Sequence, residues 1–395
     1  MMKYDFDTIV DRLDTNSVKW DIHPEVIPMW VADMDFKAAP FIMDAIRRRV
    51  EHGVFGYTYV PDRYYKSVAD WFERRRGWHI EREWVQYISG LVPGLAVAID
   101  ALTEPGDKVL FQTPAYNCFF SCALNNGRRV AESPLIYDES GSQPTFRMDF
   151  DDLERKCSDP EVKLFILCNP QNPAGRVWTP EELRRVGLIC RGHGIPVVSD
   201  EIHCELEMPG HRYTPFVTVC PEDRPVTFCS PSKSFNIAGL EIANIISADP
   251  EKMERIRRSQ RKFEQCDLNP IGVDALIAAY SPEGEEWLRQ LNSYLWNNSL
   301  TLKEMFEKSC PFVKVCALEG TYLVWMDCKA FTAKGITTQE IQDSLIEVER
   351  VWINSGTMYG DGDFMRINIA CPHATLVEGI GRVSAGLERI WSRGL

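Results

Sequence analysis

From about Asp62 to Tyr280 the chain alternates helical stretches with short apolar runs, and this rhythm narrows the possible folds more than any other feature. The runs are Lys108-Val109-Leu110-Phe111, Leu164-Phe165-Ile166-Leu167, Pro196-Val197-Val198-Ser199 and Ile242-Ala243-Asn244-Ile245-Ile246. Such alternation predicts an α/β fold with a mainly parallel sheet covered by helices. After Tyr280 the texture changes. A long helical pattern from Glu285 through Phe306 precedes two further strands, Tyr322–Met326 and Phe364–Ile369, and a final helix runs through Leu387. That stretch reads as a smaller α+β domain. With 395 residues, 45% of them hydrophobic, the chain can bury a large core divided between two domains.

Several of the apolar runs end in residues suited to chemistry, where open α/β sheets place their ligand-binding groups. Lys233 lies in Ser230-Pro231-Ser232-Lys233-Ser234-Phe235-Asn236, after an apolar stretch containing Val226 and Phe228. Burial disfavours an ammonium, and a neutral lysine amine is the nucleophile that joins an aldehyde cofactor as a Schiff base. Ser230 and Ser232 can donate to a phosphate. Alone, the segment suits an ordinary surface loop equally well. Ile195-Pro196-Val197-Val198-Ser199-Asp200 delivers a carboxylate that can pair with a cofactor ring nitrogen or simply cap a helix. Leu164–Leu167 leads into Cys168-Asn169-Pro170-Gln171-Asn172-Pro173, where Asn172 is either a cofactor ligand or turn chemistry. Ser89-Gly90-Leu91-Val92-Pro93-Gly94 opens a helix whose first N–H groups can bind an anion, without a dinucleotide or P-loop fingerprint.

The formal net charge of −13 gives no support to nucleic-acid or anionic-membrane binding. The basic cluster Lys252, Arg255, Arg257, Arg258, Arg261 and Lys262 recurs at helical spacing, as a solvated helix face does. No apolar stretch reaches membrane-spanning length, and Met1–Asp7 has no apolar signal core, so a cytoplasmic location is expected. The thirteen cysteines form no Cys-x-x-Cys pair and read as reduced, packed thiols; no metal is expected. Cys118 and Cys122, four apart, suggest core packing on one helix face.

Taken in order, Gly90-Leu91-Val92, Tyr116, Asn172, Asp200, Lys233 and Arg366 resemble the active-site series of fold-type I pyridoxal-phosphate enzymes. The chain is most similar to the MalY/PatB group of cystathionine β-lyases. Met29–Phe36, Gly53-Val54-Phe55-Gly56-Tyr57, Asp200-Glu201-Ile202-His203 and Lys233-Ser234-Phe235-Asn236 carry that likeness. The resemblance implies a large cofactor domain over residues 41–284 with a seven-stranded sheet, and a small domain from residues 1–40 and 285–395. It implies pyridoxal 5'-phosphate as cofactor, joined to Lys233, which is also the base. Asp200 faces the ring nitrogen, Tyr116 stacks on the ring, and Asn172 and His203 contact the cofactor. The turn Gly90-Leu91-Val92, together with Ser230 and Ser232, takes the phosphate. Arg366 grips the substrate carboxylate beside Asn172. Trp30 and Phe36 line the side-chain pocket, and Tyr57 crosses toward the cofactor phosphate and substrate of the neighbouring subunit in a homodimer with shared sites. A structural ion pair with Asp363 remains the rival reading of Arg366, as core packing does for Tyr116, Trp30 and Phe36.

Three departures from related aminotransferases stand out. Glu241 occupies the position of their phosphate arginine, eight residues after the lysine, and is expected to point away or meet another cation. His203 replaces a tyrosine whose role it is not assigned, and Ser355 replaces a proline before Gly356. The implied activity is a carbon–sulfur β-lyase acting on cystathionine or related cysteine S-conjugates. An aminotransferase of a free amino acid is the enzymatic alternative, and a catalytically silent binding protein on the same scaffold is the third.

Overall fold

The computed structural model describes residues 4–265 and 268–393. A seven-stranded sheet carries the strands in the order Val85–Ile88, Ala243–Ile246, Val226–Cys229, Val197–Asp200, Val162–Cys168, Lys108–Thr113 and Arg129–Pro134. The neighbouring pairs from Val226–Cys229 to Arg129–Pro134 are all parallel. Ala243–Ile246 runs against both of its neighbours. Its apolar run resembles the others, so its direction was invisible in the sequence. Strands buried on both faces show no alternation to read.

Helices cover the sheet as the alternation predicts. Leu91–Leu102 is apolar almost throughout because it packs closely on the strands. A Cβ on Gly94 would collide with the Phe228 ring, so this glycine sets the helix's distance from the sheet. Thr179 opens Pro180–Gly192 with a capping box to Glu182.

A second, antiparallel sheet orders Lys314–Val315, Leu323–Asp327, Phe364–Asn368 and Asn354–Ser355. The long helix expected from Glu285 runs from Pro282 to Ser309, and the last helix spans His373–Arg393. The N-terminal segment packs against this part of the chain. Phe6 meets Trp287 and Tyr294, and Ile27–Pro28 pairs in parallel with Val351–Trp352. The Ser355 side chain accepts from Thr357 N–H and caps the turn Gly356–Tyr359. Among the described residues no helix is long and apolar enough to cross a membrane. The twelve described cysteines are free thiols, and all but Cys118 are buried; Cys266 lies outside the described residues.

Candidate active site

The parallel strands end at one edge of the large sheet, so the residues following them converge there. Tyr116 follows Lys108–Thr113, Asn172 follows Val162–Cys168, Asp200 closes Val197–Asp200, and Lys233 follows Val226–Cys229. Gly90 precedes Leu91–Leu102, whose first-turn N–H groups lack acceptors within the helix. Arg366 arrives from the second sheet. These groups border one cavity of about 360 Å³, together with Trp30, His203 and Ser232.

Lys233 Nζ donates to the Ala32 carbonyl at 2.7 Å. Burial pulls its ammonium down to about 8; Arg366 adds to the lowering, while Asp33 and Asp200 oppose it. Asp200 is 2% exposed and accepts from Ile202 N–H at 3.1 Å. Burial pushes its carboxyl up to about 7, with the Glu201 charge adding to the shift. Among the described residues no cation lies within ion-pair distance of Asp200. His203 is also buried, its Nδ1 has no partner among the described residues, and burial holds the ring down to about 3. Its surroundings therefore favour the neutral ring.

Arg366, 4% exposed, donates to Asn172 Oδ1 at 3.1 Å and to the Trp30 carbonyl at 2.8 Å, and lies over the Tyr359 ring. It makes no ion pair among the described residues. Asp363 instead accepts from the Thr332 hydroxyl at 2.6 Å, so the ion-pair reading of Arg366 falls away. A buried guanidinium without an anion is costly. Its Nε is buried without a partner among the described residues, so the group has donors free for an anionic ligand.

Other expectations need correction. The Ser230 hydroxyl donates to the Ile242 carbonyl and accepts from Ser232 N–H, so it ties the loop together instead of lining the cavity. Ser232 does line it. Phe36 is core, packed on Phe6 and Tyr294. Trp30 borders the cavity and stacks on Trp352 at 4.4 Å. Cys118 also borders it, whereas Cys122 is buried. Glu241 is exposed and meets no cation among the described residues. It stands at the cavity edge because Ala243–Ile246, being antiparallel, starts where the other strands end. Tyr57 is fully exposed and does not line this cavity. Asn354, Met358 and Tyr359 border the site and went unnoticed in the sequence. For Asn354 a signal existed, a lone amide closing the apolar run Val351-Trp352-Ile353.

Residues 24–383 match the family described as aminotransferase class I and II. Cystathionine beta-lyase PatB of Bacillus subtilis (strain 168) is 41% identical over 394 residues, covering 97% of this chain and 100% of the relative. Cystalysin of Treponema denticola, solved with pyridoxal 5'-phosphate, superposes with a TM-score of 0.93 at 32% identity, covering 98% of this chain and 100% of its own. The pyridoxal-phosphate-bound C-S lyase of Staphylococcus hominis superposes with a TM-score of 0.91 at 34% identity, covering 97% and 99%.

Pyridoxal 5'-phosphate is the cofactor, and the donor set fits it. Lys233 offers an amine of lowered basicity to the aldehyde. Asp200 is a buried carboxylate lacking a cation, as a protonated ring nitrogen requires. His203 carries an orphaned ring nitrogen, and the N–H groups of Leu91 and Val92 with Ser232 suit a phosphate. The chain belongs to the aminotransferase class I and II family of pyridoxal-phosphate enzymes.

Proposed function

We propose that this protein is a carbon–sulfur β-lyase that cleaves cystathionine, or a related cysteine S-conjugate, to a thiol, pyruvate and ammonia. One observation carries the reading. Lys233, Asp200 and Arg366 share one cavity in a chain that matches a cystathionine beta-lyase end to end at 41% identity.

When bound, the cofactor supplies an electron sink conjugated to the substrate's α-carbon. Arg366 takes the α-carboxylate in its fork, steadied by Asn172 Oδ1 and the Trp30 carbonyl. Lys233, with its value near 8, is poised to accept the α-proton close to neutral pH. Asp200, as an anion, keeps the ring nitrogen protonated and so favours charge leaving the α-carbon. Trp30 and Tyr116 wall the cavity. The sulfur departs from the β-carbon as a thiolate and takes a proton. Cystathionine and one water thus give homocysteine, pyruvate and ammonia. In transamination the same residues would return the proton to the cofactor side.

We also propose a cytoplasmic homodimer in which Tyr57 serves the neighbouring site. Its solvent-exposed run Val54, Phe55, Tyr57 and Tyr59 supports a docked second copy. We propose too a large domain of residues 41–284 and a small one of residues 1–40 with 285–395, the second boundary falling in the first turn of the helix Pro282–Ser309. Product analysis with cystathionine tests the activity. Pyruvate and a free thiol are expected; a 2-oxo acid that retains the sulfur would give the aminotransferase reading its place.

A further inference from the structure

Two segments that bear the family likeness lie against the lysine loop: the strap Met29–Phe36, whose Trp30 already steadies Arg366, and Asn236, three residues after the catalytic lysine. The structure joins them. The Asn236 side chain accepts from Met34 N–H at 3.0 Å and donates to the Met34 and Phe36 carbonyls at 2.9 and 2.7 Å. Asn236 itself has φ +55°, so its backbone adopts a left-handed turn that brings the amide to the strap. The Lys233 loop is thereby fastened directly to the segment that walls the cavity.

At the centre of that strap is the Ala32 carbonyl. It accepts from Lys233 Nζ at 2.7 Å and from the Tyr322 hydroxyl at 3.0 Å. A carbonyl oxygen has two lone pairs, and these two donors occupy both. Tyr322 is wholly buried, so its hydroxyl is a fixed point. On either side, Asn368 Nδ2 donates to the Val31 and Asp33 carbonyls, each at 2.6 Å. The Asp33 carboxylate, whose charge favours the ammonium form of the amine, is paired with Arg12 at 2.8 Å and Lys19 at 3.2 Å.

We propose that the Ala32 carbonyl, aimed by Tyr322 and held in register by Asn236, is the perch of the Lys233 amine whenever that amine is not joined to the cofactor. Tyr322 and Asn236 are then positioning residues for proton transfer. The chemistry requires such a perch. A neutral amine giving one N–H to a carbonyl keeps its lone pair free, whereas an amine paired with a free carboxylate is held as ammonium and cannot act as a base. The lone pair takes the proton from the α-carbon, an N–H bond forms as the C–H bond breaks, and the C–H electron pair stays with the substrate. Diverting Asp33 to Arg12 and Lys19 keeps the perch uncharged.

The inference rests on Lys233 as base and holds for elimination and transamination alike. Its test uses Tyr322→Phe and Asn236→Ala in the cofactor-loaded enzyme, with L-alanine, which has no leaving group. Exchange of solvent deuterium into the alanine α-carbon should slow at least about tenfold, against the ~100-fold that an ångström of misplacement can cost. The α-deuterium isotope effect on kcat with cystathionine should grow, while KM and the cofactor Kd stay near wild type. In cofactor-free protein, trace acetylation should label Lys233 faster in both variants, relative to the other lysines, because the amine has lost its fixed acceptor. Unchanged exchange together with unchanged labelling overturns the proposal. So does a loss confined to KM or cofactor affinity, which would make Tyr322 and Asn236 scaffold alone. Wild-type protein that exchanges alanine but releases no pyruvate from cystathionine would remove the lyase reading and leave this one standing.

Discussion

Replacing Arg366 by lysine should weaken amino-acid binding while leaving the cofactor undisturbed. The side chain is 4% exposed, carries a full charge and has no carboxylate partner among the described residues. Its fork is already oriented by the Asn172 amide oxygen and the Trp30 carbonyl, and its Cζ lies 4.6 Å from the Tyr359 ring centroid. A lysine keeps the charge but is a point donor on a flexible stem, so one of two parallel bonds to a carboxylate is lost. Hydrogen bonds to charged groups contribute about 1.5–3 kcal/mol each. At about 1.4 kcal/mol per factor of ten, that is a rise in KM of roughly 10- to 150-fold. The assay is steady-state pyruvate release from cystathionine, run beside the decarboxylated analogue, which has no carboxylate to grip. The analogue should bind poorly to wild type and no worse to the variant. Cofactor absorbance should be unchanged, because lysine can keep a donor near Asn172. An unchanged KM, or an equal loss with the decarboxylated analogue, would refute the reasoning and leave Arg366 as a packing residue.

Asp200→Asn should retain cofactor yet slow α-deuterium exchange by roughly 100- to 1000-fold, since losing a positioned electrostatic partner costs about 2.7–4 kcal/mol of barrier; wild-type exchange would end its electronic role. Glu201, fully buried, accepts from Ser199, Tyr213 and Phe216 N–H, and burial raises its carboxyl to about 7 from an ordinary value near 4.5. The folded chain therefore keeps a proton that the unfolded chain loses, and this contribution, complete below about pH 4.5, is lost as pH rises through 7. Glu201→Gln should flatten the fall in Tm between pH 4.5 and 7; an unaltered slope would mean that Glu201 is ionised in the native state. Mixing inactive Lys233→Ala chains with inactive Tyr57→Phe chains should restore one working site per heterodimer, and no recovery after verified subunit exchange would count against a shared site.

The sequence by itself determined the layered α/β architecture, because alternating helical and apolar segments admit few other folds, and it marked Lys233, Asp200 and Asn172 because each follows a strand-sized run. Such positions are legible since parallel strands end at one edge. Everything that depends on contact across distant segments had to wait for the tertiary structure. Ser230 looks the equal of Ser232 in the chain, but only folding shows its hydroxyl drawn to Ile242 and away from the cavity. Glu241 looked like a bystander until the reversed direction of Ala243–Ile246 put it at the rim. Arg366 had an acid three residues before it, yet strand geometry points the two apart and gives Asp363 to Thr332. The Ala32 carbonyl carries no side-chain signature at all. Its importance comes from Lys233 and Tyr322, 201 and 290 residues away, and such long-range convergence is decided by packing, which local periodicity does not encode.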